Sequence, residues 1–194
     1  MSCFSLAPDS NGKITIELRN EIIAGTQLLK PTAITFEKIR ISNATKKLKQ
    51  SESLYSALHG ENDFVSKDEL LLVHFITPDG NLGVIGYSKT IECDRPWDAY
   101  YFYVVTKQGI VSQPISIRAT DNSYGIYERR FKFPSDSVLQ LSVKRTSEWA
   151  VEDPTKQDTL FTDLYQLSLA KASLDTIKTM HFQEILKPDS AHSK

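Results

Sequence analysis

The chain has 194 residues, of which 40% are hydrophobic and 24% charged, and its formal net charge at pH 7 is −1. This length suits one well-buried domain, and the near-neutral charge argues against nucleic acid as a partner, since nucleic-acid binders usually carry a positive excess. No apolar run reaches the roughly eighteen residues that a transmembrane helix needs, so we expect no membrane-spanning segment.

The cysteines and the N-terminus bear on the compartment. Cys3 and Cys93 are too few for a disulfide framework, and we expect two reduced thiols. A Cys3–Cys93 bridge would need an oxidising compartment. The start, MSCFSLAPDSNG, lacks the basic and apolar regions of a signal peptide, which favours the cytoplasm. Alternatively, Met1-Ser2 is a cloning remnant and Cys3 is the lipidated first residue of a bacterial lipoprotein, which would place the protein in the periplasm or on a lipid anchor.

Two strands are predicted in the N-terminal part of the chain. Residues 13–19 (KITIELR) alternate between apolar and polar side chains, a pattern typical of a half-buried strand. In residues 34–42 the alternation changes phase, and we interpret the change as a β-bulge near Glu37.

The polar residues 43–68 are predicted to form loops around one short helix. The apolar residues Leu48, Leu54, Tyr55 and Leu58 are expected to lie on this helix, and Gly60 follows as a C-cap. The lysines at 46, 47 and 49 are expected to lie in solvent, because they form no basic stripe.

Residues 69–119 are predicted to form two β-hairpins. They contain four apolar runs, 70–76, 82–87, 100–105 and 111–117. Asp79-Gly80 and Gly109 supply the turn residues that the two hairpins require. The run 70–76 is apolar at nearly every position, which indicates a strand covered on both faces or central in a sheet.

Two further alternating runs, 124–133 and 139–143, extend the β pattern. Together the runs predict a mainly β fold, an antiparallel β-sandwich or open barrel of about eight strands over residues 13–145. Residues 100–117 resemble the last hairpin of immunoglobulin-like and fibronectin-type sandwiches. This resemblance implies architecture only and assigns no family.

The C-terminal residues 155–187 are predicted to form one long α-helix or two shorter ones, because apolar residues recur there at helical spacing. These residues are Leu160, Leu164, Leu167, Leu174, Ile177 and Ile185. Pro188 would end the helix, and residues 188–194 are expected to be disordered. We expect the helix to complete the core of a single domain over residues 1–194.

The histidines and cysteines match no known metal-binding or catalytic motif. His74 lies within the apolar run 70–76 and is expected to be a hydrogen-bonded core residue. A nucleophilic Cys93–His74 pair is disfavoured, because Glu92 and Asp94 would raise the pKa of the thiol. We therefore predict no catalytic residue, no metal site and no cofactor.

The best candidate binding site is the segment 94–101, which is predicted to be a loop because Pro96 cannot donate to a β-ladder. The candidate contact residues are Arg95, Trp97, Asp98, Tyr100 and Tyr101. Arginine, tryptophan and tyrosine concentrate binding energy at protein interfaces, and such aromatic side chains also stack on sugar rings. The structural alternative is that Trp97 plugs the end of the sandwich.

The favoured hypothesis is a non-catalytic β-sandwich that binds another protein or assembles with copies of itself. A carbohydrate-binding, lectin-like sandwich is the alternative, and a hydrolase with unrecognised catalytic residues is a third. The partner, the oligomeric state and the compartment do not follow from the sequence.

Overall fold

The computed structural model describes residues 12–39, 46–59, 69–92, 95–121, 127–146, 159–172 and 174–185. Side chains are not described for residues 59, 89–92, 95–98, 119–121 and 127. Cys3, Cys93 and the tail 188–194 lie outside the described residues, so the predictions about them stay predictions.

The described part of the chain is mainly β, with short helices in its N-terminal third. The helices are α1 (Ile16–Gly25), α2 (Phe36–Ile39) and α3 (Glu52–His59), and a 3-10 turn spans Pro31–Ala33. The strands are β1 (Gln27–Leu28), β2 (Leu48–Lys49), β3 (Leu70–Ile76), β4 (Leu82–Glu92), β5 (Arg95–Val105), β6 (Ile115–Asp121), β7 (Tyr127–Ser135), β8 (Val138–Thr146), β9 (Thr159–Ser168) and β10 (Thr176–Ile185).

The strands form an antiparallel meander from β3 to β10, in which each strand pairs with the next one along the chain. The two-residue strands β1 and β2 both pair with β3, β1 parallel and β2 antiparallel. Strand β6 belongs to both parts of the sheet, because its residues 115–118 pair with β5 and its residues 119–121 pair with β7.

The predicted hairpins are confirmed. Gly80 and Gly109 have φ angles of 76° and 81°, which favour glycine because a side chain would be strained there. The runs 124–133 and 139–143 correspond to the paired strands β7 and β8.

Two apolar clusters cover opposite faces of β3–β5. On one face Phe133 of β7 meets Phe75 and Phe102, with ring centroids 5.0 and 5.6 Å apart. On the other face, residues of α1 and α3 such as Ile22 and Leu54 pack in a second cluster. The strand β3 is therefore covered on both faces, as its continuous apolar run predicts.

The prediction of a strand at 13–19 is wrong, because helix α1 begins at Ile16. Thr15 caps the helix by accepting a hydrogen bond from the Leu18 amide at 3.3 Å. Ile14 and Ile22 are buried and Leu18 is half-buried, whereas Ile16 is 72% exposed. A repeat of four residues, the spacing of one helix face, therefore decides the structure here.

The prediction of a bulged strand at 34–42 is also wrong where the structure describes this segment, since residues 34–39 contain the single turn of α2. Residues 40–42 lie outside the described residues. Ile34 and Ile39 are both buried, and the change of phase between them reflects this turn. The predicted short helix is confirmed as α3 for Leu54, Tyr55 and Leu58, whereas the prediction is wrong for Leu48, which lies in strand β2. The proposed cap Gly60 lies outside the described residues.

The prediction of a C-terminal helix is wrong over the longest segment, because β9 and β10 form an antiparallel hairpin there. Along β9, Tyr165 and Leu167 lie opposite the buried Leu141 and Leu139 of β8. Leu164 points to the other face and is half-buried. A strand sends neighbouring residues to opposite faces, so the helical spacing of these leucines is coincidental.

Candidate functional site

The segment predicted to be a binding loop is part of a strand where the structure describes it. Arg95, Trp97 and Asp98 belong to β5 and pair with Glu92, Thr90 and Lys89 of β4. The described pairing of β5 with β6 begins only at Tyr100. Pro96, four residues earlier, therefore has β4 as its one described partner strand. A proline is tolerated in such an edge position, because the missing N–H breaks no ladder. The expectation of a loop is therefore wrong for residues 95–101.

The two tyrosines of this segment lie on opposite faces of β5. Tyr100 is only 3% exposed, and its ring centroid lies 5.2 Å from that of Tyr87 and 5.3 Å from that of Phe36. Tyr101 is half-buried against the cluster under α1 and α3. Tyr100 is therefore a core residue in this conformation. A binding role for Arg95, Trp97 and Asp98 stays a prediction, since their side chains are not described.

His74 is a hydrogen-bonded core residue, as predicted. Its Nδ1 lies 2.8 Å from Oγ1 of Thr26, whose hydroxyl donates to the carbonyl of Ile22 at 2.6 Å. The hydroxyl proton is thus committed to the carbonyl, so Nδ1–H of His74 is the donor to Oγ1. Burial, followed by the charges of Lys46 and Arg19, lowers the pKa of His74, which favours the neutral imidazole.

A buried polar cluster joins Gln50, Glu69 and Tyr103, and sequence reasoning missed it. The Tyr103 hydroxyl donates to Oε1 of Glu69 at 2.7 Å, and Nε2 of Gln50 donates to Oε2. Gly86 makes room for the carboxylate, because a Cβ there would overlap Oε1. Burial and the nearby Glu69 carboxylate raise the pKa of Tyr103, so its hydroxyl stays protonated and donates. The one sequence signal is a glutamate directly before the apolar run of β3.

Strand β10 is the most exposed of the long strands that the structure describes. It lies at the end of the sheet and has β9 as its sole partner in the part of the chain that the structure describes. Nine of its ten residues are exposed and Met180 is half-exposed. Three large apolar side chains are among them, Ile177 at 58%, Phe182 at 53% and Ile185 at 59% exposure. A strand at a sheet edge presents unpaired N–H and C=O groups that can template a further strand.

Beside this edge, three polar side chains from strands β8, β9 and β10 contact one another. Oδ1 of Asp163 on β9 lies 2.7 Å from Nδ1 of His181 on β10, and its Oδ2 lies 3.8 Å from Nε of Arg145 on β8. The Asp163 carboxylate is largely buried between its two exposed partners. The arrangement fixes the position of His181 at the centre of β10.

Among the residues that the structure describes, no three His, Cys, Asp or Glu side chains are grouped so that they could hold a metal ion. Within the same residues, no helix is both long and apolar enough to cross a bilayer. Comparison of this chain with protein-family models, curated proteins and solved structures finds no match.

Proposed function

We propose that this protein acts without catalysis, by binding another protein or a copy of itself through the surface of the β9–β10 hairpin. The observation that carries the proposal is the exposure of β10, which has three large apolar side chains in solvent and an outer edge without a described partner. Natural proteins usually shorten, charge or cover such an edge, because it otherwise attracts other chains. An extended partner segment would pair with the outer edge of β10 and cover part of its apolar surface.

The placement of the ionisable core residues supports the non-catalytic part of the proposal. His74, Glu69 and Tyr103 are all buried, and each makes a side-chain hydrogen bond within the core. Such hydrogen bonds satisfy buried polar groups and stabilise the fold, which supports a structural role for these three residues.

We also propose that the two parts of the sheet that share β6 are the two layers of a β-sandwich. The contacts of Phe133 with Phe75 and Phe102 support this arrangement, because they join an inward face of β7 to the inward faces of β3 and β5. Aligned sandwiches bury alternate residues of both sheets in one such core.

Site-specific photo-crosslinking tests the proposed surface. A benzophenone amino acid replaces Phe182 on β10 in the full chain, expressed in the cells that make the protein. The matched control carries the same group at Ile16, which is more exposed but lies on α1. We expect an adduct of defined mass at position 182 and none at position 16. Equal adducts at both positions, or none at position 182, would contradict the proposal.

A further inference from the structure

We infer that the partner of β10 is β10 of a second copy, paired antiparallel about a two-fold axis that passes beside His181. This inference rests on the proposed function, since it assigns the occupant of the same edge. The two copies would continue one sheet through both molecules, as isologous dimers do when a self-complementary edge meets itself.

The first argument is the self-complementary order of side chains along β10, TIKTMHFQEI. Antiparallel pairing centred on His181 places Lys178 opposite Glu184 of the second copy. It also places Thr179 opposite Gln183 and Met180 opposite Phe182. Each cross-strand pair therefore joins opposite charges, two polar side chains or two apolar side chains, the combinations that stabilise antiparallel ladders. Every pair occurs twice because of the symmetry.

The side-chain pairs favour a register centred on His181 over the two adjacent registers. A two-fold axis perpendicular to the sheet keeps each face continuous, so the axis can move only in steps that centre on another residue. Centring on Met180 would set Lys178 against Phe182, and centring on Phe182 would set Glu184 against Met180. Both alternatives bury a charge against an apolar side chain, which is unfavourable without a partner charge.

The second argument is the division of β10 between its two faces. Met180 and Phe182 share one face, where Met180 lies opposite Leu164 of β9. In the dimer, two copies of Met180 and Phe182 would meet in one apolar patch, flanked on each side by a Lys178–Glu184 pair. Ile177 and Ile185 would come together at the ends of the paired segment, with Ile177 beside the irregularity between Thr176 and Lys178. These contacts would cover part of the surface of the three most exposed apolar side chains of β10, Ile177, Phe182 and Ile185.

On the opposite face the two His181 side chains would lie next to each other at the axis. Each is held by Asp163 of its own copy through the 2.7 Å contact. The carboxylate thus fixes the imidazole along its own β9 and leaves the outer edge of β10 open to the second strand.

Charge-swap variants test both the dimer and its register. Lys178→Glu would face Glu184 of the second copy, and Glu184→Lys would face Lys178, so each variant alone puts like charges together. An equimolar mixture of the two variants restores opposite charges, because one copy carries two acidic and the other two basic positions. The matched control is Lys132→Glu, an equal charge change at an exposed position of the interior strand β7. Sedimentation velocity of the full chain, over a wide concentration range, measures each sample.

We expect the wild-type chain and Lys132→Glu to form dimers with the same dissociation constant. Each single swap should weaken the dimer by about tenfold or more, since like charges directly opposite are unfavourable. Mixing the two swaps should restore it. Far-UV circular dichroism and melting temperature confirm that each variant is folded.

Two outcomes would overturn the inference: a monomeric wild type at every concentration, or a dimer that Lys178→Glu leaves unchanged. The proposed function fails separately. If the wild type is monomeric but still crosslinks from position 182 to a protein of different mass, the proposed recognition surface is supported and only the second copy as its partner is contradicted. A monomer without crosslinks from position 182 removes both.

Discussion

His74 lies where β3 meets the end of α1, and its lowered pKa has a consequence for stability. The unfolded chain binds a proton near the ordinary histidine pKa of 6.5, whereas the folded chain resists protonation until a lower pH. The contribution of neutral His74 to the stability of the fold is therefore complete above the ordinary pKa of 6.5, and it is lost as the pH falls below that value toward the lower pKa of the folded state. We expect the melting temperature to drop between about pH 7.5 and 5.5, and we expect His74→Gln to reduce the drop.

The difference between the two melting curves isolates His74, because the other titrating groups are common to both proteins. Parallel curves over this pH range would contradict the prediction. Nitrogen NMR of the imidazole provides a direct check, since the contact with Thr26 requires the Nδ1–H tautomer.

Tyr103 provides the second prediction for a single residue. Tyr103→Phe removes the hydroxyl that donates to Oε1 of Glu69, so this oxygen of the buried carboxylate loses one of its hydrogen-bond donors. We expect the free energy of unfolding to fall by about 1–3 kcal/mol, measured by urea denaturation. In a Glu69→Gln background the same change should cost less, because a neutral amide oxygen needs the donor less than a carboxylate does. An equal cost in both backgrounds would show that the hydrogen bond is not responsible.

At the level of the element, β9 allows a direct test of strand against helix. Leu167 is buried in the main core, whereas Leu164 is half-buried on the opposite face. Leu167→Ala should cost about 2–5 kcal/mol of unfolding free energy, and Leu164→Ala should cost clearly less. A helix would place the two leucines on the same face and would make their losses similar. Denaturant titration of the two variants decides between these structures.

The strands β3, β7 and β8, and the parts of β4, β5 and β6 that lie nearest the two predicted turns, could be predicted from the sequence because their signals are local. Asp79-Gly80 and Gly109 fix two turns by their backbone requirements, and clear alternation marks β7 and β8. In α1 two local patterns compete, and the Thr15 cap with the four-residue repeat through Ile22 prevails. Both patterns are present in the sequence, and neither indicates that Ile16 faces solvent.

The C-terminal hairpin was not predictable for a different reason. Asp163 occupies an inward position of β9 and breaks the apolar alternation that would have revealed a strand. It is tolerated there because His181 and Arg145 approach its carboxylate from the neighbouring strands. This stabilisation of the Asp163 carboxylate depends on Arg145 and His181, each eighteen residues away along the chain, so no local pattern predicts it.

The candidate site is harder to predict than the fold, because aromatic residues have the same chemistry in a core and in an interface. Tyr100 is buried by Phe36, which lies on a distant helical turn. The exposure of β10 depends on the order of strands in the sheet, which is a property of tertiary pairing. Sequence alone therefore names the residue types suited to binding but not the surface on which they lie.

For the whole molecule, the shared strand β6 and the contacts of Phe133 predict cooperative unfolding. Phe133→Ala removes a ring that packs on both Phe75 and Phe102 and should cost about 3–5 kcal/mol. We expect amides of β3–β5 and of β7–β9 to lose protection together in hydrogen exchange. Ile16→Ala, at an exposed position of α1, is the control and should change protection of these strands little. Two separate exchange transitions would show that the parts of the sheet are independent units.

The meander has a further consequence for how the chain folds as it leaves the ribosome. From β4 onward, each new strand pairs with the strand made immediately before it, so it needs no residue that has yet to be synthesised. The short strands β1 and β2 must wait until β3 emerges, because both pair with it. Helices α1 and α3 wait for the strands β3–β5 whose apolar face they cover, and α2 waits for β5, because Phe36 packs on Tyr100. Short-range pairing of this kind keeps the entropy of loop closure low and favours vectorial folding. The nascent sheet thus has one growing edge that each new strand covers in turn, and among the described strands β10 forms that edge.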